Sequence, residues 1–372
     1  MTAGVYLHIP FCKSRCSYCD FATDVWRDGG AVERYVEALC GEIASFTKAD
    51  IEADTIYFGG GTPSLLTPEQ IGQIVGSVRE KFSISDPAEI TMEMNPATVT
   101  ADTLAAYREL GVNRASFGVQ TFDDRDLKLL ARGHDANDAR VTFQMLRDAG
   151  FDNISFDLIA GLPGQTLDQW RRNLDEAVTL SPEHLSLYLL EIHEGTPLAE
   201  QVRSRRRPAP DDDVAAEMYE TMIDTLAAAA YEQYEISNFT LPGFGSRHNT
   251  KYWRLDEVYG FGVSAHSFDG HHRSANERDT AKYVAMIESQ VSPRVMREEV
   301  NAASEYVFLG LRLEEGVDLR EYEARFDQDL ATTHASEIDD LISNELLARV
   351  DGSLRLTRKG KLFSNEVFSA FV

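Results

Sequence analysis

Tyr6-Leu7-His8-Ile9-Pro10-Phe11-Cys12-Lys13-Ser14-Arg15-Cys16-Ser17-Tyr18-Cys19-Asp20-Phe21 decides how the rest of the chain is read. An apolar run of strand character leads into a loop with cysteines at CxxxCxxC spacing. Thiolates bind soft metals, and clustered cysteines on a short loop suit an iron–sulfur cluster or zinc. A four-iron cluster has four corners; this loop fills three and leaves one iron open to a small molecule. Structural zinc wants four closed ligands, and no fourth cysteine lies nearby. His8 is the remaining zinc candidate, but it sits inside the predicted strand.

The 372 residues suffice for one large core and a smaller domain. A formal net charge of −25 repels phosphate backbones, so no nucleic-acid partner is expected. The dense basic run Arg203-Ser204-Arg205-Arg206-Arg207 is answered by Asp211-Asp212-Asp213 and reads as a self-neutralising loop. Cys40 falls in a helical pattern and reads as a small core residue. The four cysteines build no disulfide framework, which fits a reducing cytoplasm. The chain enters its first strand within a few residues of Met1, so no signal peptide is expected. No apolar run is long enough to span a bilayer, so any membrane contact is expected to be peripheral.

Working outward, Ala31 to Lys48 has helical periodicity, and Thr55-Ile56-Tyr57-Phe58 is a short buried strand ending in Gly59-Gly60-Gly61-Thr62-Pro63. Thr67, Pro68 and Gln70 form a capping-box start for a second helix. Glu89 to Met94 reads as a third strand, Thr100 to Leu110 as a helix stopped by Gly111. Arg114 to Gln120 is a fourth strand, Asn153 to Ile159 a fifth and His184 to Leu190 a sixth, with helices up to Ala149 and from Thr166 to Leu180 between them. This βα rhythm predicts a parallel sheet. Cys12 to Cys19 follow strand one, the glycine run follows strand two, and Glu93, Gln120 and Asp157 lie near the ends of strands three to five. A doubly wound sheet collects ligands at one switch point, whereas unusual residues at the C-terminal end of every strand point to a partial barrel.

Past residue 200 the rhythm breaks. A helix is expected from Asp213 to Ala230. The core is bounded at 1–235. Residues 236–300 form an aromatic, Gly-rich segment packing on it, with Gly243 to Trp253 and Tyr259 to His266 its densest parts. Residues 301–372 read as a small, mostly helical, winged-helix-like domain, with two strands between Leu347 and Leu356 turning at Asp351-Gly352.

The cysteine loop, with the preceding Tyr-x-His-Ile-Pro-Phe, resembles the radical S-adenosylmethionine (SAM) superfamily, in its coproporphyrinogen oxidase-like branch. The resemblance implies a partial (β/α)6 barrel, a [4Fe–4S] cluster on Cys12, Cys16 and Cys19, and SAM on the open iron. Residue by residue, it implies SAM contacts from Tyr6, Gly60, Gly61, Thr62, Glu93, Gln120, Arg132 and Asp157, with Glu191 and His266 through their backbone. The chemistry is reasonable: SAM's sulfonium and ammonium want carboxylates and carbonyls, and its carboxylate wants an arginine.

Within that branch, the decarboxylases carry a fourth cysteine two residues past the third; here Phe21 stands there. They also carry an N-terminal extension before the first strand, which is not expected here. The chain is most similar to the HemW-type heme chaperones, by its Cys-x-Tyr-Cys-Asp-Phe loop and by His248-Asn249-Thr250-Lys251-Tyr252-Trp253, an HNxxYW motif associated there with heme binding. The resemblance implies heme at His248, as an imidazole can be an axial ligand and Tyr252 and Trp253 can cover a porphyrin face. It also implies heme-accepting partners, respiratory enzymes among them, and an electron donor. His271-His272 reads as loop solvation. The other reading is oxygen-independent oxidative decarboxylation of coproporphyrinogen III. The residues do not decide whether SAM is cleaved.

Overall fold

The computed structural model describes residues 2–26, 28–48 and 50–372. Six parallel strands alternate with helices, as the rhythm predicts: β1 (Ala3–Ile9), β2 (Glu52–Gly60), β3 (Ser83–Met94), β4 (Arg114–Gln120), β5 (Ile154–Ala160) and β6 (His184–Leu189). They lie in chain order across one sheet that curls into a partial barrel. The helices α1 (Gly29–Ser45), α2 (Pro68–Lys81), α3 (Ala101–Glu109), α4 (Asp124–Leu129), α5 (Ala136–Asp148) and α6 (Leu167–Leu180) return the chain between them. Their starts are the ones the sequence marks. Thr67 and Gln70 bond reciprocally at the head of α2, and Thr166 and Gln169 do the same for α6.

Strand side chains alternate between two faces. Val5, Leu7 and Ile9 of β1, Ile56 and Phe58 of β2, and Ala115, Phe117 and Val119 of β4 point outward and are buried under the helices. Trp170 of α6 is fully buried and donates its indole N–H to Met218 O at 3.0 Å. That bond ties α6 to α8 (Asp212–Ala228), which follows the short α7 (Pro197–Arg203). The other strand face carries Tyr6, Tyr57, Glu93, Ser116, Asp157 and Ser186, a polar and aromatic set that fills the barrel interior.

One feature of the sheet is not in the sequence reading. Val258–Phe261 forms β7, paired in parallel with β1, Tyr6 opposite Gly260. Its four residues, one a glycine, are too short to register as a periodic run. The sheet then continues through antiparallel strands 266–268, 272–276 and 294–299, and closes at the other side with 238–240 and 232–235, to twelve strands among the described residues. The 236–300 segment therefore adds five strands to the sheet, and its first part holds the helix α9 (Arg247–Trp253). Residues 302–371 form helices around a small antiparallel sheet in which 353–356 lies between 317–318 and 347–350.

Candidate functional site

The cysteine loop is fixed at both ends before any metal is considered. Phe11 and Cys12 pair in parallel with Asp24 and Val25. Ser17 donates its N–H to Leu130 O at 2.9 Å and its hydroxyl to Leu129 O at 2.9 Å, and Leu198 N–H returns a bond to Ser17 O at 2.8 Å. The loop thus caps the C-terminal rim of the barrel. Cys12, Cys16 and Cys19 are free and line one cavity of about 530 Å³. Thr62 directs its hydroxyl at Cys12 Sγ over 3.6 Å, and Arg132 directs a guanidinium N–H at Cys16 Sγ over 3.5 Å. Burial pushes the Cys12 thiol up to about 11 and raises Cys19 as well, so ligand formation here displaces protons. Among the described residues, no three Cys, His, Asp or Glu side chains converge on one point as a single-ion site requires. Three thiols spaced around an open rim fit the corners of a multi-iron cluster. His8 is unavailable to a metal: its Nε2 donates to Ala22 O at 2.9 Å and its Nδ1 accepts from Tyr6 OH at 3.1 Å.

The glycine run lies directly beneath this loop. Gly60 has φ +114°, and a Cβ there would stand 2.7 Å from the His8 ring; one on Gly61 would stand 2.7 Å from the Pro10 carbonyl. Only glycine lets the two backbones meet, with Gly61 N–H donating to Ile9 O at 2.7 Å. Gly60 N–H donates to Glu93 Oε2 at 3.0 Å and Tyr57 OH to Glu93 Oε1 at 2.8 Å. Burial nevertheless raises the Glu93 carboxyl to about 7, and the Asp157 charge adds to the rise. Asp157 is itself raised by burial. Two buried carboxyls facing one cavity have the chemistry to receive cations, and SAM presents a sulfonium and an ammonium.

Gln120 also lines the cavity. It has φ +67°, after a register shift between Gly118 and Gln120 that turns the strand end inward. Gly61 and Glu191 are lining residues as well. Arg132 reaches the cavity too, but its guanidinium is partly committed: one nitrogen donates to Asn95 Oδ1 at 2.5 Å and to Gly118 O at 2.6 Å, while Nε has no partner. The sequence reading missed a second arginine. Arg114 is buried, lines the same cavity, forms no ion pair among the described residues, and its Nε has no partner. Its signal was positional, because it shares the inward face of β4 with Ser116, Gly118 and Gln120.

Three expected SAM contacts do not line the cavity. Tyr6 stacks on Tyr57 at 6.1 Å and gives its hydroxyl to His8. Thr62 is buried between Cys12 and Asn95, whose amide donates to its hydroxyl at 2.7 Å. His266 is exposed on the sheet extension, with its carbonyl against Gly260.

The larger correction concerns His248. Ser246 caps α9, and Glu89 accepts the N–H groups of both Arg247 and His248 at 3.0 Å. Lys251 reaches Thr2 O and Asp54, both at 2.8 Å. These contacts lie at the N-terminal ends of the strands, so α9 is the floor of the barrel. His248 is 1% exposed, with Nδ1 bonded to Thr55 Oγ1 at 2.8 Å and Nε2 to Tyr252 OH at 3.2 Å. Its ring stacks on Tyr57 at 5.0 Å, and burial pushes it down to about 3. In this structure the imidazole is a neutral scaffold group and offers no nitrogen to iron. The sequence shows a histidine beside aromatics; only the fold shows that both nitrogens are taken. Asn249, next along the helix, does reach the cavity from below.

This geometry can be set beside known proteins. Residues 6–177 match the model of the radical SAM superfamily, and residues 299–363 that of the HemN C-terminal domain. Among solved structures, the coproporphyrinogen III oxidase HemN from Escherichia coli, a radical SAM enzyme, superposes with a TM-score of 0.86 at 25% identity, covering 100% of this chain and 90% of that one. The chain is a radical SAM protein, with a [4Fe–4S] cluster and SAM as its cofactors, and the cysteine rim, the glycine turn and the carboxylates beneath them line one cavity of that domain. Heme chaperone HemW of Bacillus subtilis (strain 168) is 36% identical over 99% of this chain and 99% of its own length. HemW of Lactococcus lactis subsp. lactis (strain IL1403) is 35% identical over 99% and 97%. The chain belongs to the heme chaperone HemW family.

Proposed function

We propose that this protein binds heme and delivers it to acceptor proteins while keeping a SAM-liganded [4Fe–4S] cluster. The observation that carries the reading is the match to heme chaperones along both barrel and C-terminal region. Cys12, Cys16 and Cys19 hold the cluster, and Gly60, Gly61, Glu93, Gln120 and Asp157 receive SAM. Tyr6, Thr62 and Arg132 support that set from behind: Tyr6 orders His8 and the strand, and Thr62 and Arg132 steady two of the thiolates. A bound cluster supplies one electron to SAM when the carbon–sulfur bond is to be broken. The chain's own residues bind, orient and wall off the site. Arg114, the uncommitted cation, is placed to take a carboxylate of whatever lies deepest in the cavity. The acceptors are heme proteins of the same compartment, respiratory enzymes among them, and the cluster requires an electron donor. The cytoplasm suits three oxygen-sensitive thiolates, and no helix among the described residues is long and apolar enough to cross a membrane. Residues 301–372, which reach the cavity through Arg312, suit contact with a protein partner over the rest of their surface.

The test is anaerobic heme titration of the cluster-loaded chain, reading the Soret band after gel filtration. Stoichiometric retention is expected, and its absence sinks the proposal. The likeness to HemN favours one second reading, oxidative decarboxylation of coproporphyrinogen III. Anaerobic product formation with SAM and a reductant would establish it. Phe21, in place of a fourth cysteine, argues for the chaperone.

A further inference from the structure

Heme needs an axial ligand, a flat apolar face and cations for its two propionates. The chain's nine histidines can be sorted by what their rings already do. His8, His184 and His248 are buried with both nitrogens bonded. His134 is buried and directed at Val119 O. His266, His271 and His272 belong to the sheet extension, and His334 packs on Phe371 in the C-terminal region. Among the described residues, His193 alone of the nine lines the cluster cavity.

His193 sits in the loop between β6 and α7, with its side chain 42% exposed. Its nitrogens make no hydrogen bond among the described residues; Nδ1 stands 3.7 Å from Asp20 Oδ2 and Nε2 3.8 Å from Glu191 Oε2. A carboxylate beside one nitrogen raises the ligand strength of the other. The loop is not loose: Thr196 gives its hydroxyl to His193 O at 2.7 Å, and Leu198 is stapled to the cysteine loop. The same cavity is lined by two large aromatic side chains that the core leaves out, Phe21 at 62% and Tyr188 at 42% exposure. Exposed aromatics at a cavity mouth mark a binding surface. Cations flank them. Arg15 lines the mouth without an ion pair among the described residues, and Arg278 donates to Asp20 O at 2.7 Å. Asp20 thus touches the imidazole through its side chain and a guanidinium through its backbone.

We propose that heme docks across the mouth of the cluster cavity, with His193 as axial ligand, Phe21 and Tyr188 against the porphyrin face, and Arg15 and Arg278 toward the propionates. The proposal rests on the heme-chaperone reading and gives it a site distinct from the HNxxYW helix. Full-length, cluster-loaded protein, wild type and His193→Ala, is titrated anaerobically with ferric heme and with metal-free protoporphyrin IX. Because His193 is a half-exposed loop residue, cluster content is expected to be unchanged. The variant should bind ferric heme at least tenfold more weakly with a displaced Soret band, yet bind the metal-free porphyrin as wild type does. Phe21→Ala should weaken both ligands. An unaltered Soret band and affinity in His193→Ala, with heme bound in wild type, overturns the ligand assignment and leaves the chaperone reading standing. Equal loss of heme and metal-free porphyrin also overturns ligation. No heme binding in wild type overturns both.

Discussion

The rim and the floor of the barrel are built from the same strands and the same alternation, and they end in opposite states. At the rim, groups stand open to a ligand: three free thiols, a Glu93 carboxyl that burial raises to about 7 although Tyr57 and Gly60 bond it, and Gln120 in a left-handed backbone conformation. At the floor, polar groups answer one another. Thr55, His248 and Tyr252 form one chain of bonds; Ser155, His184 and Tyr234 form a second, with 2.8 Å on either side of His184. The lesson is that an inward-facing polar residue belongs to a site where it opens on a cavity and to the scaffold where its neighbours close over it. A histidine in a motif is no exception.

The comparison breaks most easily at its extremes. Cys16→Ser should remove the cluster altogether, read as loss of its visible absorption after anaerobic reconstitution, while the apo-protein's melting temperature hardly moves. His248→Ala should do the reverse. It deletes a fully buried ring and strands two hydroxyls, for a loss of roughly 3–4 kcal/mol in denaturant unfolding, with cluster loading preserved. If stability is unchanged and heme alone is lost, the floor is not a scaffold. Glu89→Gln leaves one of the two α9 N–H groups poorly matched and should cost about 1–3 kcal/mol by the same measurement.

The rim has its own signature in pH. With the Glu93 carboxyl at about 7, the charged form that attracts SAM's cations is present above pH 7 and is lost as pH falls. SAM affinity is therefore expected to drop roughly tenfold between pH 8 and pH 6, and Glu93→Gln should flatten that profile. The stability linkage runs the other way: the folded state holds this proton more tightly than the unfolded chain, so the apo-fold gains stability from Glu93 as pH falls from about 7 toward 4.5. The smallest effect belongs to the outside of the floor. Arg254 and Glu315 form an exposed pair at 2.9 Å, and Arg254→Ala should change stability by about 0.5 kcal/mol or less.

The rim was far more legible in the sequence than the floor. Cysteine spacing, a glycine run and the ends of predicted strands are local signals; with the family resemblance they singled out Cys12 to Cys19, Gly60, Glu93 and Asp157, which the fold brings to one cavity. The floor is made of long-range bonds: Thr55 meets His248 and Glu89 meets the head of α9 across well over a hundred residues. No periodicity encodes such pairings. Val258–Phe261 escaped because it is short and because its parallel neighbour, β1, lies far away along the chain.

That seventh parallel strand sets the order of events on the ribosome. β1 carries the cysteine loop and emerges well ahead of its neighbour β7, so one of its edges stays bare until residues near 260 are synthesised. Tyr35 and Glu42 of α1 wait as long for their bonds to Val263 and Gly262. Pairings this distant along the chain are slow to form, and an unpaired apolar edge invites aggregation meanwhile. The cluster loop is thus translated early and locked late, so a nascent chain that takes up iron before its second half arrives would do so on an unfinished frame.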